Sequence, residues 1–163
     1  MTTFPPPFIK AWELFKDVNI PVVDVGNIIG GKVKANVDSG IFQNACPIRM
    51  SYVLNYSGVP VPSGHRYAVV SGGDKKCYMF RVNDMMAVLF AKLGKPDITV
   101  KKPTFSDFKG KKGILLTRGH GWSDAGGHVT LWNGSACSDS CHLIGDPDNG
   151  TFVPEQSSLW ELK

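Results

Sequence analysis

A thiol, an imidazole and a carboxylate stand where they could act as one nucleophilic unit: Cys46, His128 and Asp139. A free thiol, with a pKa of about 8.5, is only a few per cent ionised at neutral pH; backbone N–H groups at a helix start and a nearby imidazolium favour the thiolate and make it a strong nucleophile. Cys46 falls in the first turn of a segment with helical periodicity. The plainer reading is a small buried hydrophobe, since free Cys is among the most buried residue types. His128 opens His-Val-Thr-Leu-Trp, whose alternation puts His128, Thr130 and Trp132 on one sheet face and Val129 and Leu131 on the other. Beside a thiolate, this imidazole is the base and then the acid of acyl transfer, and it needs a third polar group to hold its tautomer. Alone, it is an ordinary sheet histidine. Asp139 is the candidate third group: if Asn133-Gly134 forms a two-residue type I′ turn, Trp132 pairs with Ser135, and Asp139 lies across from His128 at about 5 Å between Cβ atoms.

Cys137 and Cys141 flank Asp139 and bear on that register. In a regular strand their Cα atoms would be about 13 Å apart, beyond the roughly 7 Å limit for a disulfide. Either the strand is regular and the thiols are free, or the segment curls into a closed loop around Asp139. The turn-forming Ser138, Asp139 and Ser140 favour the loop. Zinc ligation by Cys137, Cys141, His142 and His128 is disfavoured, because Cys-x3-Cys-His lacks a second well-spaced pair; no metal and no cofactor are expected. Cys77 carries no partner signal, and His65 and His120, in Gly-bearing loops, receive no role. Trp122 and the Gly-rich turn after it could form a wall of a substrate cleft.

The elements that must position these groups follow from pattern and punctuation. Phe8, Trp12 and Phe15 predict a helix over roughly 6 to 17 behind an extended proline arm. Val/Ile pairs broken by Gly26, Gly30 and Gly31 read as loop with short extended pieces over 21 to 37. From Asn44, a capping residue, to Tyr56 the pattern is that of a central buried helix, with Cys46, Met50, Val53 and Leu54 on one side and Ile48, Tyr52 and Tyr56 on another. Tyr67 to Ser71 reads as a strand and Cys77 to Val82 as a second strand or helix entry. Asn83-Asp84 can cap a helix through Lys92, with Gly94 as its stop. Strands are expected at 114 to 117 and 128 to 132, with further short ones to Trp160. Helices followed by an antiparallel sheet make the class α+β.

Composition sets the outer limits. The chain of 163 residues, with 18 Gly, 11 Pro and a net charge of +4, suits one globular domain over residues 1–163. No uncharged apolar stretch approaches the ~20 residues of a membrane span, and Met1 to Lys16 lacks the pattern of a secretory leader. Five lysines, Lys101, Lys102, Lys109, Lys111 and Lys112, lack the interleaved aromatics of a base-stacking platform and read as a solvated loop, so nucleic acid is not an expected partner.

Three segments together carry a resemblance: Asn44-Ala-Cys-Pro-Ile-Arg-Met-Ser-Tyr-Val-Leu-Asn55, the run from Gly121-Trp122 through His128 to Trp132-Asn-Gly134, and Cys137-Ser-Asp-Ser-Cys141. The chain resembles the fourth family of type VI secretion amidase effectors, papain-like cysteine hydrolases of the NlpC kind that attack peptidoglycan. The resemblance implies a papain-like fold with the nucleophile at the start of a buried helix packed on an antiparallel sheet. It implies Cys46 as nucleophile, His128 as base and Asp139 as third member, acting on the bond between the γ-carboxyl of D-glutamate and meso-diaminopimelate. It further implies synthesis in the cytoplasm, delivery by the type VI machinery into the periplasm of a rival cell, and a cognate immunity protein that blocks the cleft. A periplasm would oxidise Cys137 and Cys141. Two other functions fit the residues, a non-catalytic binding module with Cys46 in the core and a general papain-like protease.

Overall fold

A computed structural model describes residues 4–123 and 126–163. Asp124 and Ala125, within the Gly-Trp run singled out above, lie outside the described residues. Behind the extended prolines, α1 (Phe8–Val18) buries Phe8, Ala11, Phe15 and Val18, and the Phe8 N–H donates to the Lys163 carbonyl at 2.7 Å. Trp12 is only half-buried.

Residues 21 to 37 are not a loop. They form α2 (Val22–Ile29) and α3 (Gly31–Asp38), joined at Gly30 with φ +73°. Val25, Ile29, Val33 and Val37 recur every fourth residue and are all buried, a helical stripe that the glycines obscured. Gly26 is part of this packing, since a Cβ there would stand 3.2 Å from the Cβ of Val37.

α4 (Cys46–Tyr56) lies between two apolar clusters, as its two-sided pattern predicts. Cys46, Met50, Val53 and Leu54 pack with α1, α5 and the main sheet, and Ile48 packs with α2, α3, Phe42 and Tyr78. Buried polar groups set its register against the chain that follows. Ser51 Oγ donates to the Pro47 carbonyl at 2.8 Å and accepts from the Met79 N–H at 2.9 Å; Asn55 Nδ2 donates to the Cys77 carbonyl at 2.8 Å. The hairpin β1 (Val69–Ser71) and β2 (Cys77–Met79) leads into α5 (Val82–Leu93), which ends at Gly94 with φ +82°.

The main sheet holds β3 (Ile98–Lys101), β4 (Gly113–His120), β5 (Gly127–Trp132) and β6 (Val153–Glu161) in the order β3-β6-β4-β5, antiparallel throughout. The sequence pattern predicts no strand at β3 and short strands where β6 is continuous. Ile114, Leu116, Val129, Leu131 and Trp160 face the helices, while Leu115, Trp132 and Leu159 pack with Phe108, Cys141 and Leu143 on the other face. Lys101 ends β3 rather than lying in a loop.

Candidate active site

Two elements bring the reactive groups together. α4 presents Cys46 at its first position, and β5, an edge strand packed against α4, presents His128 at its second. At an edge no further strand covers the ring. The third group arrives on the loop after β5, by a route other than the expected type I′ turn. Asn133 Oδ1 accepts from the N–H groups of Ser135 and Ala136 at 3.0 and 2.8 Å, the turn takes in four residues, and Trp132 pairs with Cys137. An Asn side chain that mimics a backbone turn in this way favours the wider loop. Continued, that register puts Asp139 opposite Thr130 and diagonal to His128, within side-chain reach. Asp139 Oδ1 lies 3.1 Å from His128 Nε2.

Cys137 and Cys141 form a disulfide with Cα atoms 5.4 Å apart, so the closed-loop alternative holds and the sulfurs are not free to bind zinc. The loop is braced at several points. Asn19 Nδ2 donates to the Ser138 carbonyl at 3.0 Å, Ser140 Oγ to Asp148 at 2.6 Å, and the His142 N–H to Asp146 at 2.8 Å. Among the described residues, no three His, Cys, Asp or Glu side chains are grouped to hold a metal ion.

The electrostatics follow from burial and pairing. Burial disfavours charge on the His128 ring, but the Asp139 carboxylate, by charge and hydrogen bond, and then Cys46 outweigh it and push the ring up to about 10. Burial also raises the Asp139 carboxyl; the charge on His128 and its hydrogen bond, then Thr130 and Arg49, more than offset this and hold the group below its ordinary value. Thr130 Oγ1 is buried and has no partner in hydrogen-bond geometry, yet from that position it still favours charge on Asp139. Since Nε2 faces Asp139, Nδ1 is the nitrogen left to serve the thiol.

All three groups line one open cleft of about 540 Å³, together with Val22, Gln43, Asn44, Ala45, Arg49, Trp122, Ser140 and His142. Cys46 is 1% exposed and sits at its floor. Trp122 lines this cleft, stacks on Phe152 with ring centroids 4.1 Å apart, and donates from Nε1 to the Asn149 carbonyl at 3.2 Å. His120 lies elsewhere, exposed and 2.8 Å from Glu155. Cys77 is half-buried and does not line the cleft.

The sequence pattern gives no cleft role to His142 or Arg49. His142 packs edge-on to His128 with centroids 4.6 Å apart and also edge-on to Trp122 at 4.7 Å. Burial, then the charge on His128, holds its ring below the ordinary value, so a neutral imidazole braces the charged one. Its φ of +59°, rare for a side chain with a Cβ, was not legible beforehand. Arg49 was legible: it follows Cys46 by three residues on α4, the spacing that puts two side chains on one helix face.

This fold and this site define a papain-like cysteine hydrolase of the NlpC kind. The family described as "Type VI secretion system (T6SS), amidase effector protein 4" matches residues 42–158. The chain belongs to that amidase effector family and is a hydrolase. A chain of the type VI effector–immunity complex Tae4–Tai4 from Enterobacter cloacae is 59% identical over 98% of this chain and 100% of its own length, with a TM-score of 0.96. The effector Tae4 from Salmonella typhimurium, in complex with the immunity protein Tai4 from Enterobacter cloacae, is 60% identical over 97% of this chain and 99% of that one, with a TM-score of 0.94. The type VI effector Tae4 from Enterobacter cloacae is 58% identical over the whole of both chains, with a TM-score of 0.93. No curated protein matches the chain.

Proposed function

We propose that residues 1–163 act as one amidase domain that hydrolyses the bond between the γ-carboxyl of D-glutamate and meso-diaminopimelate in peptidoglycan stem peptides. Cys46 is the nucleophile, His128 the base and acid, and Asp139 the group that orients the ring. The observation that carries these roles is the chain of contacts at the cleft floor. A thiol at a helix start stands beside an imidazole whose far nitrogen, Nε2, is 3.1 Å from a half-buried carboxylate.

The thiolate attacks the γ-glutamyl carbonyl carbon and an S–C bond forms. The C–N bond then breaks as Nδ1 of His128 gives its proton to the departing amine of meso-diaminopimelate. Water attacks the thioester, its proton returns to Nδ1, and the γ-carboxyl and the free thiolate are regenerated. The Cys46 N–H, an oxyanion donor in this scheme, is already bonded to Asn44 Oδ1 at 3.2 Å, and Pro47 has no N–H to offer. That long bond is the one an arriving carbonyl oxygen replaces.

Membership of the type VI effector family supports action in the periplasm of a target cell, where the disulfide around Asp139 is stable. The Tae4–Tai4 complexes support a cognate immunity protein as partner. The test is digestion of purified sacculi with the wild-type protein and with Cys46→Ala, with products read by mass spectrometry. Wild type is expected to release fragments that carry a free meso-diaminopimelate amine, and the variant none. Equal release by both would falsify the assignment.

A further inference from the structure

Arg49 is a fixed cation in the cleft whose charge is not matched by any ion pair among the described residues. Its Nε donates to the Val18 carbonyl at 2.8 Å and its Nη2 to the Ile20 carbonyl at 2.6 Å, which orients the guanidinium against the end of α1. A guanidinium has five N–H donors, so three remain, including both on Nη1. The residue lines the cleft with Cys46, and its charge reaches Asp139, whose own charge is engaged by the His128 ring. A pre-oriented planar fork of this kind fits a carboxylate and discriminates against an uncharged amide.

The reaction proposed above supplies such a group. A glutamyl residue joined through its γ-carboxyl keeps its α-carboxylate free. That group is four C–C bonds from the carbonyl carbon under attack, roughly 5 Å when extended at about 1.5 Å per bond. Positions i and i+3 of a helix have Cβ atoms about 5–6 Å apart. We infer that Arg49 binds the free α-carboxylate of the D-glutamyl residue and selects stems in which that carboxylate is not amidated. The inference rests on the γ-glutamyl reading. It makes Arg49 a specificity residue on the acyl side of the bond, with a second, structural use of its other donors in capping α1.

Three synthetic stems test it: one with free carboxylates, one amidated at the D-glutamyl α-carboxyl, and one amidated on meso-diaminopimelate. Wild type is expected to prefer the free glutamyl carboxylate by roughly ten- to a hundredfold in kcat/KM, the range of a charge-assisted hydrogen bond, with the difference carried in KM. Arg49→Gln is expected to bring that ratio within about twofold while leaving its response to diaminopimelate amidation unchanged. Arg49→Lys, with the charge but not the fork, is expected to fall between. A ratio of two substrates on one sample cancels any loss of folded protein, and the wild-type ratio is a test by itself. Equal cleavage of both glutamyl forms by wild type overturns the inference, as does an equal fall on both in Arg49→Gln, or a loss that follows diaminopimelate amidation instead. Cleavage of none of the three by wild type overturns the bond assignment, and the inference with it.

Discussion

His128 is held in its charged form by one neighbour more than any other. Replacing Asp139 by Asn keeps the shape and removes the charge, so kcat for stem-peptide hydrolysis is expected to fall by about two to four orders of magnitude. Asp139 raises the ring, so its loss moves the alkaline limb of the kcat/KM profile to lower pH. An unmoved limb would mean that Asp139 does not set the proton affinity of the ring. At this scale the sequence was informative about residue type. A Cys at a helix start, a His on a strand and an Asp between two cysteines could all be named beforehand. The edge-on contact of His142 could not, because it depends on a left-handed backbone at a residue with a Cβ.

The loop between Cys137 and Cys141 is the element on which the site depends most. The bridge closes a small ring, and on the loop-entropy estimate its removal costs about 2 kcal/mol. Its larger use is to hold Asp139. Replacing both cysteines by Ser is expected to lower kcat by roughly a hundredfold, the scale of an ångström of misplacement in a catalytic group. Dithiothreitol is expected to do the same to wild type, and an active reduced enzyme would overturn this. α2 and α3 make a second element-scale case. Gly26→Val forces a side chain into the 3.2 Å approach to Val37 and is expected to cost about 1–3 kcal/mol of stability by overpacking, read as a lower denaturation midpoint. The pair was hidden in the sequence because Gly26, Gly30 and Gly31 look like loop punctuation. In the folded chain Gly26 lets the helices meet and Gly30 makes the corner between them.

For the whole molecule, the His128–Asp139 pair couples stability to pH with a definite sign. Asp139 lies below its ordinary 3.8 in the fold, so its contribution is present above that value and is lost as the pH falls through the folded value. His128 rises from 6.5 to about 10, so its contribution is complete below 6.5 and is lost as the pH rises towards 10. The difference in Tm between wild type and Asp139→Asn is therefore expected to be largest between pH 3.8 and 6.5 and to shrink on either side. A difference that grew from neutral pH to pH 10 would contradict the pairing. His142, held low, disfavours the fold as the pH drops below 6.5, but this acts on both proteins and largely cancels. By itself the sequence determined the α+β class, the buried helix that begins near Cys46, the strand that carries His128, and the family. Those features rest on local periodicity, on punctuation by Gly and Pro, and on ordered motifs. Only the tertiary structure decided that Trp132 pairs with Cys137, that Asp139 reaches His128 from a closed loop, and that Arg49 and His142 share the cleft with Cys46. Each of these depends on contacts between segments far apart in the chain or on one turn geometry among several that the residues permit, and packing selects among them.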